Sequence, residues 1–187
     1  MINDKGFTLI ELIMVIVIIA IISVLSAYLM LYLVQNGIFI PNKLNMDMIA
    51  SDALDIMVEG DSSAKGLRFS KSITDIQDNQ ISFNNQDDQS VVYRLDTGIQ
   101  KLYRSIAGGS ETLIPYYVET EINITGKDNK LFIYYNDIDN EINPGTGDPA
   151  DVRRIRINLT ARTGTGLYEN WEGQSELASS ITVKRLE

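Results

Sequence analysis

The sequence predicts an α+β chain, a long N-terminal hydrophobic helix followed by a mostly antiparallel β-sheet head, and three observations predict it. Residues 7–34 form an apolar run whose only charged member is Glu11. Residues 42–59 keep apolar side chains at helical spacing. From about residue 72 the pattern changes to short β-branched and aromatic runs separated by turn signals.

The apolar run is mainly Ile, Val, Leu, Met and Ala, interrupted by Thr8, Ser23 and Ser26. As an α-helix it would be about 42 Å long, against a hydrocarbon core about 30 Å thick, so it can span a membrane. Glu11 lies on its second turn. A carboxylate costs about 2.5–3.5 kcal/mol at the centre of a bilayer helix, and less near an end where it reaches toward the interface. Physics alone leaves two readings open: an edge residue that snorkels, or a charge kept for a cation supplied by another subunit.

Residues 1–6, Met-Ile-Asn-Asp-Lys-Gly, are short, polar and basic at their end. The apolar run that follows is too long for a secretory signal peptide and has no small-x-small cleavage site after it. Instead Lys5-Gly6-Phe7-Thr8-Leu9-Ile10-Glu11 resembles the signal of type IV prepilins and pseudopilins. The resemblance implies a leader of residues 1–6, cut after Gly6 by a membrane aspartyl protease that also methylates the new N-terminus at Phe7. It further implies that Glu11, fifth from the cut, pairs with the N-terminal amine of a neighbouring subunit. Both groups would lie in a low-dielectric bundle, where leaving either unpaired is costly and pairing them fixes axial register. The implied partners are the prepilin peptidase/methyltransferase, other pilins or pseudopilins through the helix, an inner-membrane assembly platform, and membrane lipid before assembly.

The chain has 187 residues and a formal net charge of −9. That length suits one modest globular domain plus the helix. The acidic balance disfavours nucleic-acid binding by the head, which would need a basic face. With no cysteine there is neither a disulfide framework nor a thiolate metal site. With no histidine, Ser-His-Asp and Cys-His mechanisms and ordinary zinc catalysis fall away. A carboxylate-pair hydrolase remains formally open, but no motif supports it, and the chain reads as a non-enzyme. Lys5 before the helix and the acidic bulk after it place the N-terminus in the cytoplasm and the head outside, in the periplasm or at the cell surface.

Along the chain, Tyr28 and Tyr32 share a helix face and suit either an interface or simple packing. Gly37 and Pro41 weaken a helix, so a kink, a short melted segment or a plain helix end is expected there. Met46, Ile49, Ala50, Ala53 and Met57 then resume helical spacing, an amphipathic helix over 42–59 that packs on the head. Gly60-Asp61-Ser62-Ser63 reads as its end, and residues 64–69 could add one turn. Candidate strands are 80–83, 90–95, 99–104, 118–124, 130–135, 152–160 and 180–186, with Asp96-Thr97-Gly98 as a hairpin turn. From Arg154 the pattern alternates, one face buried and one charged. The expected organisation is a leader at 1–6, a membrane or filament-core helix at 7–34, a kink plus amphipathic helix at 35–69, and a β-rich head at 70–187.

Three loops merit weighing for ligand binding. Asp137, Asp139 and Glu141 offer carboxylates at alternate positions, as calcium sites do, but lack the glycine and distal glutamate of an EF-hand loop. A solvated acidic hairpin tip is favoured over calcium, and no cofactor is expected. Gly145-Thr146-Gly147-Asp148 and Gly164-Thr165-Gly166 are followed by no phosphate-binding lysine. Trp171 reads as a loop anchor or a contact residue. The order Tyr93-x-Leu95, turn, Leu102-x-Arg104, aromatic strand Phe132–Tyr135 and Val183-Lys184-Arg185 resembles the head of W/J-type minor pilins and minor pseudopilins. That resemblance implies a subunit that primes or caps a type IV pilus, a type II secretion pseudopilus or a DNA-uptake filament. The chain ends Arg185-Leu186-Glu187 where that family often has Arg-Asn. The alternative is a single-pass membrane-anchored binding domain that does not polymerise, and it would require neither Gly6 nor Glu11.

Overall fold

The computed structural model describes residues 8–115, 122–163 and 174–183. The chain divides into two units, Met1–Ile40 and Pro41–Glu187. Helix α1 is assigned from Leu9 to Val58. Its first part, Leu9–Val34, is apolar enough and long enough to cross a membrane, and none of that surface is buried in the chain. The expected melted segment or helix end near Gly37 and Pro41 is absent, because α1 runs through it. A proline removes one backbone hydrogen bond and crowds the carbonyl four residues back, while the turns on both sides keep their own bonds.

In the second unit α1 lays one stripe into the core. Met46, Ile49, Ala50, Ala53 and Met57 are all buried, joined by Leu54 and Val58, while Ser51 and Asp55 face outward. The helix stops at Gly60, whose φ is 92° and whose N–H bonds the Asp55 carbonyl. A Cβ there would lie 2.2 Å from the Ala64 carbonyl oxygen, so the stop needs glycine. A single 3-10 turn, Leu67–Phe69, follows.

The head consists of two five-stranded sheets with antiparallel pairings throughout. The first is a meander of β1 (Ser70–Ile76), β2 (Gln80–Asn85), β3 (Ser90–Asp96), β4 (Lys101–Ile106) and β5 (Thr112–Leu113). The second contains β6 (Ile122–Gly126), β7 (Phe132–Tyr135), β8 (Glu141–Ile142), β9 (Arg154–Thr163) and β10 (Gln174–Thr182). Its order is β10-β9-β7-β8, with β6 also paired to β9. The β3–β4 turn lies at Thr97–Gln100, one step beyond the expected tripeptide. Asp96 closes it by accepting from the N–H groups of Gly98 and Ile99 at 3.0 and 3.2 Å.

The two sheets share one core. Ile81, Phe83, Val91, Tyr93, Leu95 and Leu102 come from the first, and Phe132, Tyr134, Ile155, Ile157 and Leu159 from the second. The β1–β2 turn joins them. Asp78 accepts through its carbonyl from the N–H groups of Leu131 and Phe132 at 2.9 and 3.0 Å. The buried Tyr134 hydroxyl reaches the carbonyls of Gln77 and Gln80 at 2.8 and 3.0 Å. β9 alternates as expected only at its ends. Arg156 and Arg162 are exposed, but Asn158 and Thr160 between them are buried at 5 and 6% exposure, so the outward face is not charged along its whole length.

Candidate functional site

The structure is most informative about function where α1 begins. Thr8 is not helical and Leu9 is the first helical residue, which makes Thr8 the N-cap and Glu11 the third residue of the helix. The Thr8 backbone N–H donates to Glu11 Oε2 at 2.8 Å, and the Thr8 hydroxyl donates to the same oxygen at 2.9 Å. In return the Glu11 N–H approaches Thr8 Oγ1 at 3.4 Å. This is a reciprocal capping box, which satisfies backbone donors that the first turn of a helix otherwise leaves open. The signal that reveals it is Thr-x-x-Glu ahead of an apolar run, present at Thr8-Leu9-Ile10-Glu11. The Glu11 carboxylate has two donors within its own chain.

Beyond the cap, Leu9–Val34 presents a mainly apolar surface. Leu9 is 76% exposed and Tyr28 72%, with the Ile, Val and Leu between them also exposed. Ser23 returns its hydroxyl to the Ile19 carbonyl at 2.7 Å, so this polar group is satisfied without water. Gly6 and Phe7 lie outside the described residues, as do Trp171 and Gly164-Thr165-Gly166.

The acidic loop does not form a ligand set. Asn136 closes the tip between β7 and β8, its side-chain oxygen accepting from the N–H groups of Ile138 and Asn140 at 3.1 and 2.9 Å. Asp139 is paired with Arg154 at 2.9 Å, and Arg154 in turn lies 4.3 Å over the Tyr135 ring. Glu141 lies 4.0 Å from the Lys130 ammonium. Among the described residues no three acidic side chains converge as a metal site would require, and Asp137, Asp139 and Glu141 are not drawn together. Gly145 and Gly147 belong to a turn closed by Asn143, and Asp148 caps the short 3-10 turn Pro149–Asp151.

The hairpin residues of the head resemblance are interior ones, and Lys184 and Arg185 lie outside the described residues. Tyr93, Leu95, Leu102 and Arg104 are all buried in the β3–β4 hairpin. The Tyr93 hydroxyl donates to the Ile56 carbonyl at 3.0 Å, and Arg104 pairs with Asp61 at 2.9 Å. Both contacts fasten the sheet to the end of α1. Burial pushes the Tyr93 phenol well above its ordinary range, so it stays a neutral donor. These side chains hold the fold and offer no reactive group to solvent.

Residues 1–27 match the family model of the prokaryotic N-terminal methylation motif. The match covers the capping box and most of the membrane-length run, and it stops before the head. No curated protein and no solved structure matches the chain. One apolar N-terminal helix together with this motif fits a single-pass membrane-anchored protein.

Proposed function

We propose that this chain, which carries the prokaryotic N-terminal methylation motif, is a type IV prepilin-like subunit, a minor pilin or minor pseudopilin. It enters the membrane with its N-terminus cytoplasmic and its head outside. The peptidase cuts after Gly6 and methylates Phe7. The mature helix then leaves lipid for a helical bundle of other pilins on an assembly platform, and the head primes or caps the filament. That filament belongs to a type IV pilus, a type II secretion pseudopilus or a DNA-uptake system.

The observation that carries this reading is the coincidence, at one helix start, of the methylation motif and a membrane-length apolar surface. Helix association in lipid gains from close packing and from satisfying polar groups rather than from escape from water. Glu11 is the one charged residue of the run. Paired with the ammonium at Phe7 of a neighbour it neutralises both charges in a low-dielectric bundle, and it sets the axial step because only one stagger brings them together. The head carries the weaker argument for a minor subunit, resting on the hairpin Tyr93-x-Leu95 and Leu102-x-Arg104.

Mass spectrometry of the N-terminal peptide tests this reading, using membranes of cells that carry the peptidase and a Gly6 substitution in parallel. The expected result is a chain that begins at N-methyl-Phe7, with the substituted chain uncut. A wild-type chain that keeps residues 1–6 would remove the amine that Glu11 needs and leave a membrane-anchored, non-polymerising domain.

A further inference from the structure

Along their strand orders the two sheets end in four edges, β1, β5, β10 and β8. Three of these are guarded. β1 carries two register shifts and has the 3-10 turn Pro149–Asp151 packed against it. β5 and β8 are two residues long. Bulges and short strands both deny a new strand its template. β10 has neither device. It runs nine residues, Gln174–Thr182, in unbroken register with β9, and it holds no proline or lysine. The neighbouring strand fixes which of its backbone groups are open. The Asn158 N–H donates to the Leu131 carbonyl at 2.9 Å, on the β7 side. Even-numbered residues of β9 therefore turn their backbone groups to β7, and odd-numbered ones to β10. Their partners in β10 are Ser175, Leu177, Ser179 and Ile181, so the N–H and C=O groups of Glu176, Ala178, Ser180 and Thr182 point to the free edge. The side chains of these four are exposed.

We propose that the free edge of β10 is an interaction surface and that its occupant is β10 of a second copy of this chain, antiparallel and centred on Ala178. Such a contact is isologous, each copy giving the same patch. The register sets Glu176 opposite Ser180 of the second copy. Ser180 pairs with Arg156 in β9, so Glu176 faces, in one row across the joined sheet, Ser180 and then Arg156 of the second copy. At the spacing of neighbouring strands, the backbones of Glu176 and that Arg156 are about 10 Å apart. Both long side chains lie on the outward face with only a small serine between them, so carboxylate and guanidinium meet over it. Arg156 is exposed. Among the described residues its guanidinium bonds the Asn158 side-chain oxygen at 3.1 Å and pairs with no carboxylate, whereas Arg68, Arg94, Arg104 and Arg154 each pair with one. The two-fold symmetry makes the Glu176–Arg156 pair twice. Sliding the second strand by two residues would put Glu176 in the row of Asn158, or in that of Arg154, which Asp139 already holds. Charge complementarity thus selects both the occupant and the register. The contact lies in the head and requires neither cleavage nor filament entry.

The chain has no cysteine, so Ala178→Cys places a single thiol at the two-fold axis. Directly opposite residues of an antiparallel pair have Cα atoms about 4.5–5.5 Å apart, within disulfide reach. The full chain is oxidised in its own membranes, with Thr97→Cys at the exposed β3–β4 turn as the control for random collision. Ala178→Cys is expected to give a covalent dimer and Thr97→Cys none. In the Ala178→Cys background, Glu176→Arg and Arg156→Glu should each lower the dimer yield about 10-fold, since each sets two like-charged pairs in place of two opposite ones. The two changes together should restore it, which a misfolded head would not do. No dimer from Ala178→Cys, or equal dimer from Thr97→Cys, overturns the proposal. A dimer indifferent to the single charge changes, or one that the double change fails to restore, overturns it as well. A benzophenone maleimide on the Ala178→Cys thiol reports any other occupant, and an adduct with a different protein in place of the dimer rules out the second copy.

Discussion

At the scale of the residue, Arg104 and Asp61 show how an acidic protein uses one cation in its interior. Their side chains are 5 and 14% exposed, so the pair is shielded but not sealed from water. Asp61 also accepts from the N–H groups of Ser63 and Ala64 at 2.8 and 3.3 Å, so one carboxylate closes the loop after α1 and ties it to β4. Asp61→Asn leaves the Arg104 charge without its counterion and should destabilise the head by about 2–4 kcal/mol near neutral pH. The pH dependence follows from Asp61, because the guanidinium stays charged throughout. Burial raises the Asp61 carboxyl, but the bonds from Arg104, Ser63 and Ala64 lower it further, so its folded value lies below the ordinary one. The stabilisation is then fully present above the unfolded value, about pH 4, and is lost as pH falls through the lowered folded value. Denaturant unfolding should show the variant and the wild type far apart at about pH 7, with the gap narrowing as pH falls through the lowered folded value of Asp61.

Thr8 and Glu11 carry two signals in the same few residues. The pairing role of Glu11 came from family resemblance, whereas Thr-x-x-Glu before an apolar run is a local rule that needs no family. The converse holds for Asp137, Asp139 and Glu141. Their spacing suggests convergence, but Arg154 and Lys130 arrive from elsewhere in the chain and take two of the three carboxylates. Spacing within one loop carries no information about such distant partners.

At the scale of the element, legibility followed regularity. The apolar stripe of α1 from Met46 to Met57 keeps a helical period, and every residue of that stripe is buried. Strand β1 does not keep a period. Register shifts between Ser70 and Ser72 and between Ile73 and Asp75 break its alternation, and no strand was expected there. Strands β5 and β8 are two residues each, too short for any periodicity to declare itself. Strand β10 begins at Gln174, six residues before its expected start, because Gln-Ser-Glu-Leu-Ala-Ser lacks β-branched residues and becomes a strand by pairing with β9. The β1–β2 turn was equally hidden, since its role depends on reaching the other sheet. Tyr134→Phe removes the hydroxyl that serves the carbonyls of Gln77 and Gln80 while keeping the ring. It should cost about 1–2 kcal/mol, measured by thermal or denaturant unfolding.

At the scale of the whole molecule, the chain separates two tasks. The buried core begins at Met46 and draws on both sheets as far as Val183, with no contribution from the membrane-length run before it. The hydrogen bonds of Glu11 are to Thr8, whereas Met57 is buried in the head core, so variants at the two positions probe different units. Glu11→Val should insert in membranes and keep the thermal unfolding midpoint of the head unchanged in detergent micelles, while the chain fails to enter a filament. Met57→Ala should do the opposite. It opens a cavity under α1 and should cost about 2–5 kcal/mol, lowering the midpoint, yet it leaves the assembly contact intact in whatever fraction stays folded. Circular dichroism melts of both variants, set beside their recovery in filaments, measure the separation directly. A shared loss of head stability and assembly in Glu11→Val would mean that the two units are energetically coupled.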